Sequence, residues 1–218
     1  ANNDEIRVLI LTGSGQAFCA GADLKEVLAG ANLAAGEADF LDRADCIFNQ
    51  LRNFPKPVIA ALNGITMAGG LELAMCADIV IAAESATIGD AHANFGVYPG
   101  AGGAAVLPRL IPLNMAMYLL MTGKSLSAAE MKSVGLVCEV HADAELADAA
   151  LTLAKQIAKK SPIALRRMKE VARASADKTR DDALQHEQVM LRRHMRTFDF
   201  QEGLQSFAEK RAPQFQGR

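Results

Sequence analysis

Several things are scarce in this chain of 218 residues, and each scarcity removes a class of protein. The four cysteines, Cys19, Cys46, Cys76 and Cys138, form no CxxC pair and share no metal-type spacing with the four histidines. A disulfide framework and a zinc site are therefore not expected; reduced, buried thiols are. No apolar run approaches the roughly 18 residues that span a bilayer. The opening ANNDEIRV lacks the basic and apolar regions of a signal peptide, so a cytoplasmic location is expected. A formal net charge of −2 supplies no global field for nucleic acid or an anionic membrane, and an anionic ligand would need a local basic group. Low-complexity tracts and charge blocks are absent, which argues against disorder.

What is present is a globular composition, 50% hydrophobic and 22% charged, in a chain long enough for one well-buried core. Arg7 to Thr12 (RVLILT) reads as a buried strand closed by the Gly-Ser-Gly turn, PVIAALNG (57–64) repeats the pattern, and ADIVIAAESATIG (77–89) supplies one or two further strands. Between them ADFLDRADCIFNQLRNF (38–54) has helical period and stops at Pro55 and Pro57. This alternation predicts an α/β fold with parallel connections. Further on, PLNMAMYLLMTG (112–123) is bracketed by proline and glycine as helices are, SLSAAEMKSVG (125–135) opens on a serine cap, and LVCEVH (136–141) is a short strand. From Asp143 nearly everything is helical. The expectation is a single structural domain, with an α/β core over 1–140 and a helical region over 141–218.

Residues 67–78 (MAGGLELAMCAD) raise a chemical question, because Glu72 sits among small and apolar side chains. Gly69 and Gly70 open a helical run, so their backbone N–H groups mark a positive helix end where an anion or a developing oxyanion is favoured. The alternative is that the pair only permits close packing of helix on strand. For Glu72 the choice is between a dipole-complementing first-turn residue and an acid or base; desolvation and the helix start act on its charge in opposite senses. QAFCAGADLKE (16–26) is a second small-residue loop suited to backbone contact with a ligand, and loops leaving the same end of parallel strands can converge. YPGAGG (98–103) is not followed by the GK[ST] of a nucleotide-triphosphate loop, and that function is rejected.

The stretches FCAGADLKE, AGGLELAMCAD, IGDAHANFGVYPGAGG, MTGKSLSAAEMKSVGLV and EGLQSFAEKRAPQF, in that order and almost end to end, resemble the crotonase, or enoyl-CoA hydratase/isomerase, superfamily. The resemblance implies a spiral of ββα units with a C-terminal helical region that builds a homotrimer or a dimer of trimers. It also implies an acyl-CoA thioester as ligand, with no cofactor beyond the coenzyme A of the substrate and no metal. The family's two oxyanion-stabilising amides fall on Ala22 and Gly69. Its coenzyme A contacts fall on Ala20, Asp23, Leu24 and Lys25, and on Phe207 and Lys210 for the nucleotide portion. Glu72 matches one of the two acid/base glutamates of the hydratases, whereas the position of the second is held by His92, whose imidazole can also exchange a proton near neutral pH. The family places the 98–103 turn behind the active site. Members begin with a β-hairpin and helix ahead of the strand at 7–12, a section without counterpart here.

The resemblance thus implies acyl-CoA chemistry through a stabilised thioester enolate, most simply reversible hydration of a 2-enoyl-CoA. His92 in place of a glutamate keeps isomerisation, hydrolysis and decarboxylation open. An RNA-binding role for the basic pairs Arg166–Arg167 and Arg192–Arg193 is set against interleaved acids such as Glu170, Asp181 and Glu187, which fit a solvated helix face better. Acyl selectivity is expected to depend on residues around 26–40, 92–98 and 112–120.

Overall fold

The computed structural model describes residues 3–25 and 40–218. Strand β1 (Leu9–Thr12) is followed across a Gly-Ser-Gly turn by β2 (Ala17–Cys19), which belongs to a different sheet. The same step is repeated by β3 (Val58–Leu62) and β4 (Ile65–Met67), and again by β5 (Ile79–Ala83) and β6 (Thr87–Gly89). With β7 (Ser125–Ser127) and β8 (Glu139–His141), two four-stranded sheets result, ordered β1-β3-β5-β8 and β2-β4-β6-β7. Helix α1 (Phe40–Arg52) precedes the second strand pair and α2 (Gly69–Ala74) the third. After β6 come a 3-10 turn (His92–Phe95), α3 (Leu107–Leu110) and α4 (Leu113–Thr122). This is the expected spiral of ββα units. Strand β5 runs parallel to β3 and β8, β4 runs parallel to β2 and β6, and β6 pairs antiparallel with β7.

The core follows from the apolar runs. Val58, Ile59, Ala60, Ala61 and Leu62 are all buried, which suits a central strand covered on both faces. Ile81, Ile88, Leu107, Leu119 and Met131 are likewise fully buried. RVLILT differs from the expectation of full burial: β1 is the edge of its sheet, and Leu9, Ile10 and Leu11 are only half-buried. The thiols differ too. All four are free, but only Cys76 is buried; Cys19 is half-buried, and Cys46 and Cys138 are exposed.

Three-residue strands escape periodicity. Strand β4 occupies what looks in the sequence like a plain connection before Gly69. Strand β7 occupies the expected start of the helix at Ser125, so the serine that caps α5 (Ala128–Ser133) is Ser127. Its hydroxyl accepts from the Glu130 N–H and the Glu130 carboxylate accepts from the Ser127 N–H, a reciprocal capping box. Gly123, left-handed with φ 61°, ends α4.

The chain divides into two compact units: residues 10–53 with 58–151, and residues 1–9 with 54–57 and 152–218. The second unit is dominated by helices. After α6 (Leu146–Ala158), it contains α7 (Pro162–Ser175), α8 (Arg180–His194) and α9 (Phe198–Ala208), capped by the side chains of Ser161, Thr179 and Thr197 respectively. Asp199 and Glu202, three apart on α9, bind the tail that follows. Asp199 Oδ1 accepts from the N–H groups of Gln216 (2.7 Å) and Gly217 (3.0 Å), and its Oδ2 accepts from Ser161 Oγ (2.6 Å). Glu202 takes a two-pronged pair from Arg211 (2.6 and 2.9 Å) and the Gln214 N–H (2.7 Å). No helix among the described residues is long and apolar enough to cross a membrane.

The Arg211 guanidinium, then the Gln214 N–H, hold the Glu202 carboxyl down to about 2, against an ordinary 4.5. A depressed folded-state value means that the tail is fully bound above pH 4.5 and loosens as pH falls through the window toward 2. Hydrogen exchange of the 211–217 amides, measured down this range, is expected to accelerate in that window. Arg211→Gln should move the onset upward, toward 4.5.

Candidate active site

Two loops leave the C-terminal ends of β2 and β4, which pair in parallel with Ala17 opposite Ile65 and Cys19 opposite Thr66. The loops carrying Ala22 and Gly69 thus emerge side by side in the second sheet. The glycine pair has two separate jobs. A Cβ on Gly70 would fall 1.9 Å from the Cys19 carbonyl oxygen, so Gly70 is the packing glycine that lets α2 rest against β2. A Cβ on Gly69 would meet only Gly21 Cα at 3.8 Å and the Ala22 nitrogen at 3.9 Å. Gly69 therefore fills no tight contact; its missing side chain leaves open the space beside the Ala22 amide. Neither the Ala22 nor the Gly69 N–H donates a hydrogen bond among the described residues. The preceding residue, Ala68, holds φ 52° and ψ −119°, a conformation costly for a side-chain-bearing residue, where the chain turns from β4 into α2.

Glu72 lies in the first turn of α2 and is 4% exposed. Its Oε1 accepts two backbone hydrogen bonds, from the Ala101 N–H (2.7 Å) and the Gly103 N–H (2.9 Å). Its Oε2 takes no hydrogen bond among the described residues. The donors belong to the YPGAGG turn, which thereby acquires a function that its sequence did not reveal: it cradles a buried carboxylate. The turn is braced from the other side by Arg52 of α1, whose Nη2 donates to the Ala101 carbonyl while Nη1 donates to Asn49 Oδ1 (3.1 Å), with the guanidinium 5.8 Å over the Phe48 ring. The signal for the cradle was a buried carboxylate in need of donors together with a glycine-rich turn in need of acceptors.

His92 opens the 3-10 turn after β6, and its side chain is 11% exposed. Asp90, 1% exposed, accepts from the His92 N–H at its Oδ1 (3.3 Å), and the same oxygen lies 3.0 Å from His92 Nδ1. That second approach is at ion-pair distance but is not a hydrogen bond; His92 Nδ1 and Asp90 Oδ2 are both buried polar atoms without a hydrogen-bond partner among the described residues. Ala91 between them is left-handed, φ 58°. Asn94 donates to the Gly123 carbonyl (2.9 Å), tying this turn to the end of α4. Glu72 and Asp90 flank one residue: Gly103 bonds Glu72 through its N–H, while a Cβ on it would fall 2.5 Å from Asp90 Oδ2.

Comparison with known proteins decides what this frame is. The family model described as enoyl-CoA hydratase/isomerase matches residues 1–218. The chain belongs to the enoyl-CoA hydratase/isomerase family. It is 36% identical to the carnitinyl-CoA dehydratase of Salmonella typhi, over 100% of this chain and 84% of that protein. Among solved structures it is similar to an enoyl-CoA hydratase from Bacillus anthracis, with a TM-score of 0.92 and 40% identity, covering 100% of this chain and 84% of the other. It is also similar to one from Polaromonas sp. JS666, with a TM-score of 0.93 and 33% identity, covering 99% and 84%. The protein is accordingly a crotonase-family acyl-CoA enzyme.

The remaining residues implied by the family resemblance fall in both units. Ala20, Ala22, Asp23, Leu24 and Lys25 are exposed, and Asp23 Oδ1 accepts from the Lys25 N–H (2.8 Å). Phe207, 86% exposed, and Lys210, left-handed at φ 54°, belong to the helical unit. Of the acyl-selective stretch around 26–40, residues 26–39 lie outside the described residues. A groove of about 500 Å3 opens between α7 and α8, walled by Met168, Val171, Leu184 and Leu191; none of the site residues named above lines it. Burial first, then Arg166 and Arg193, lower the pKa of Arg167 in that groove. No cluster of metal-ligating side chains occurs among the described residues.

The two glycines should separate by stability. Gly70→Ala is expected to destabilise the fold by about 3 kcal/mol, the upper end for overpacking. Gly69→Ala should change it by no more than about 0.5 kcal/mol. Urea denaturation of both variants measures the contrast.

Proposed function

We propose that the enzyme catalyses reversible hydration of a 2-enoyl-CoA, with Glu72 and His92 exchanging protons and the Ala22 and Gly69 amides receiving the thioester oxygen. The observation that carries this is the Glu72 carboxylate, buried with one oxygen secured by two amides and the other uncommitted, on the helix whose first residue is Gly69. In the hydration direction Oε2 of Glu72 takes a proton from water as the water oxygen bonds to the β-carbon. The C2=C3 electron pair shifts toward the thioester, and the charge on its oxygen is met by the two N–H donors. As the enolate collapses, the α-carbon takes a proton from the His92 ring in its imidazolium form, which is left as the neutral imidazole. Water has been added; Glu72 is left protonated and His92 has lost a proton, and exchange with solvent resets the pair. Dehydration of a 3-hydroxyacyl-CoA is the same path reversed, which accords with the carnitinyl-CoA dehydratase name of one relative. The chemistry uses no cofactor beyond the substrate's coenzyme A, whose contacts we assign to Ala20, Asp23, Leu24, Lys25, Phe207 and Lys210.

Loss of conjugated thioester absorbance, measured with crotonyl-CoA and longer enoyl-CoAs, tests the proposal. Glu72→Gln keeps an oxygen able to accept both loop amides and cannot act as the base. It should fold normally and lose 10²-fold or more in kcat, on the order expected for general acid–base catalysis. Gly69→Ala keeps the main-chain N–H but puts a methyl in the space beside the Ala22 amide where the thioester oxygen would sit; kcat should fall, by as much as the ~10²-fold that loss of one oxyanion donor costs. Absence of any turnover that Glu72→Gln abolishes would overturn the assignment. A second reaction class is favoured by one observation, His92 at the second glutamate's position; free coenzyme A in the products, detected by mass spectrometry, would mark a thioester hydrolase instead.

We also assign the functional state to a homotrimer or a dimer of trimers. Neither α7 nor α8 has a buried side chain, and Met168, Leu184, Val189 and Leu191 are exposed on them. Light scattering on the eluting protein should give three or six chains per particle; a monomer would refute it.

A further inference from the structure

We infer that Asp90 is the positioning residue of His92, holding the proton of the neutral imidazole on Nδ1 and leaving Nε2 as the atom that exchanges a proton with substrate. The inference deepens the proposed acid/base role of His92 and rests on it. The simplest structural account of Asp90 is a turn cap, since its Oδ1 accepts from the N–H two residues on. A cap alone does not account for the rest. The carboxylate is 1% exposed, and its Oδ2 has no hydrogen-bond partner among the described residues. An uncharged Asn could make the same 90-to-92 backbone bond without burying a charge.

The surroundings are also arranged around that carboxylate. A Cβ at position 103 would fall 2.5 Å from Asp90 Oδ2 and 2.7 Å from Pro99 Cβ, so the carboxylate is packed directly against a residue that must be glycine. Ala91 is left-handed between the two residues, in the tight turn where the His92 ring meets the Asp90 carboxylate. Nδ1 and Oδ1 are already 3.0 Å apart, and both partners carry a buried atom with an unmet bond. Realignment of the ring, without displacement of the backbone, closes a hydrogen bond from Nδ1–H to the carboxylate. Catalytic hydrogen bonds are often misaligned in this way before substrate binds. With Nδ1 so engaged, Nε2, which makes no hydrogen bond among the described residues, is the remaining site for proton exchange. When Nε2 takes a proton from the α-carbon in the dehydration direction, the ring becomes an imidazolium beside a buried carboxylate, with no further movement of either group.

The test is heteronuclear NMR on the full chain labelled with 15N-histidine. The chain has four histidines, and the His92 signals are those lost in His92→Gln. Two-bond proton–nitrogen correlations at neutral pH are expected to show the His92 ring as the Nδ1–H tautomer in the wild type. Asp90→Asn, isosteric and still able to cap the turn, should shift the ring toward the Nε2–H form. It should lower kcat by about 10–100-fold, with KM changed less than about twofold. A wild-type ring protonated at Nε2 would overturn the inference, as would an unchanged tautomer and kcat in a folded Asp90→Asn. Should that variant fail to fold, the wild-type spectrum decides alone. The NMR arm needs no turnover, so failure of the hydratase assignment and failure of this one are read separately.

Discussion

A carboxylate almost wholly removed from solvent must be given donors by the fold, and the cradle around Glu72 is the constraint that orders this protein. Two amides from one turn converge on a single oxygen, at 2.7 and 2.9 Å. Stripping that carboxylate away would leave both N–H groups unpaired, at about 1–3 kcal/mol for the buried one on Gly103 and less for the half-buried one on Ala101. The turn can deliver both amides only because Gly102 adopts φ 131° and Gly103 carries no side chain. Arg52 holds it from behind through the Ala101 carbonyl. The helix that bears Glu72 is in turn seated by Gly70 against the Cys19 carbonyl. Loop, strand and helix are thus mutually fixed through one side chain.

The same economy of atoms recurs at each contact near the site. Glycines at 70 and 103 are required by neighbours that stand where a Cβ would be, whereas the glycine at 69 keeps a space clear. Strained non-glycine backbone is confined, within the sheet unit's described residues, to Ala68 and Ala91, the residues immediately before Gly69 and His92. Backbone energy is spent where an amide or a ring must be aimed, which is where strain is ordinarily retained.

Much of the fold was legible because its longer elements have strong periodicity. Val58–Leu62 is apolar at every position and became the buried centre of a sheet, and the proline and glycine around 112–123 bracketed the helix found there. The three-residue strands β2, β4 and β7 were not legible, since so few residues carry no period and their pairing is set by distant partners. Candidate site residues were legible as unusual chemistry, a lone glutamate after two glycines and a histidine at the position of a second glutamate. Their supports were not. The donors to Glu72 lie about thirty positions downstream as main-chain atoms, which leave no mark in a sequence beyond the glycines that permit them. Asp90 and His92 meet through a tight turn with Ala91 left-handed, a backbone conformation that alanine does not announce. The thiols were misjudged for a related reason, because cysteine's general preference for the interior says nothing about which helix face or strand end it occupies.

The imidazole at position 92 differs from Glu72 in one respect with wide consequences: no main-chain group among the described residues bonds to its ring. The scaffold invests its donors in position 72 and leaves position 92 as a socket, whose occupant could be exchanged without unseating a strand or a helix. A frame of this kind separates the part that endures from the part that can vary. New chemistries can then arise by refitting one head group on an unaltered chassis.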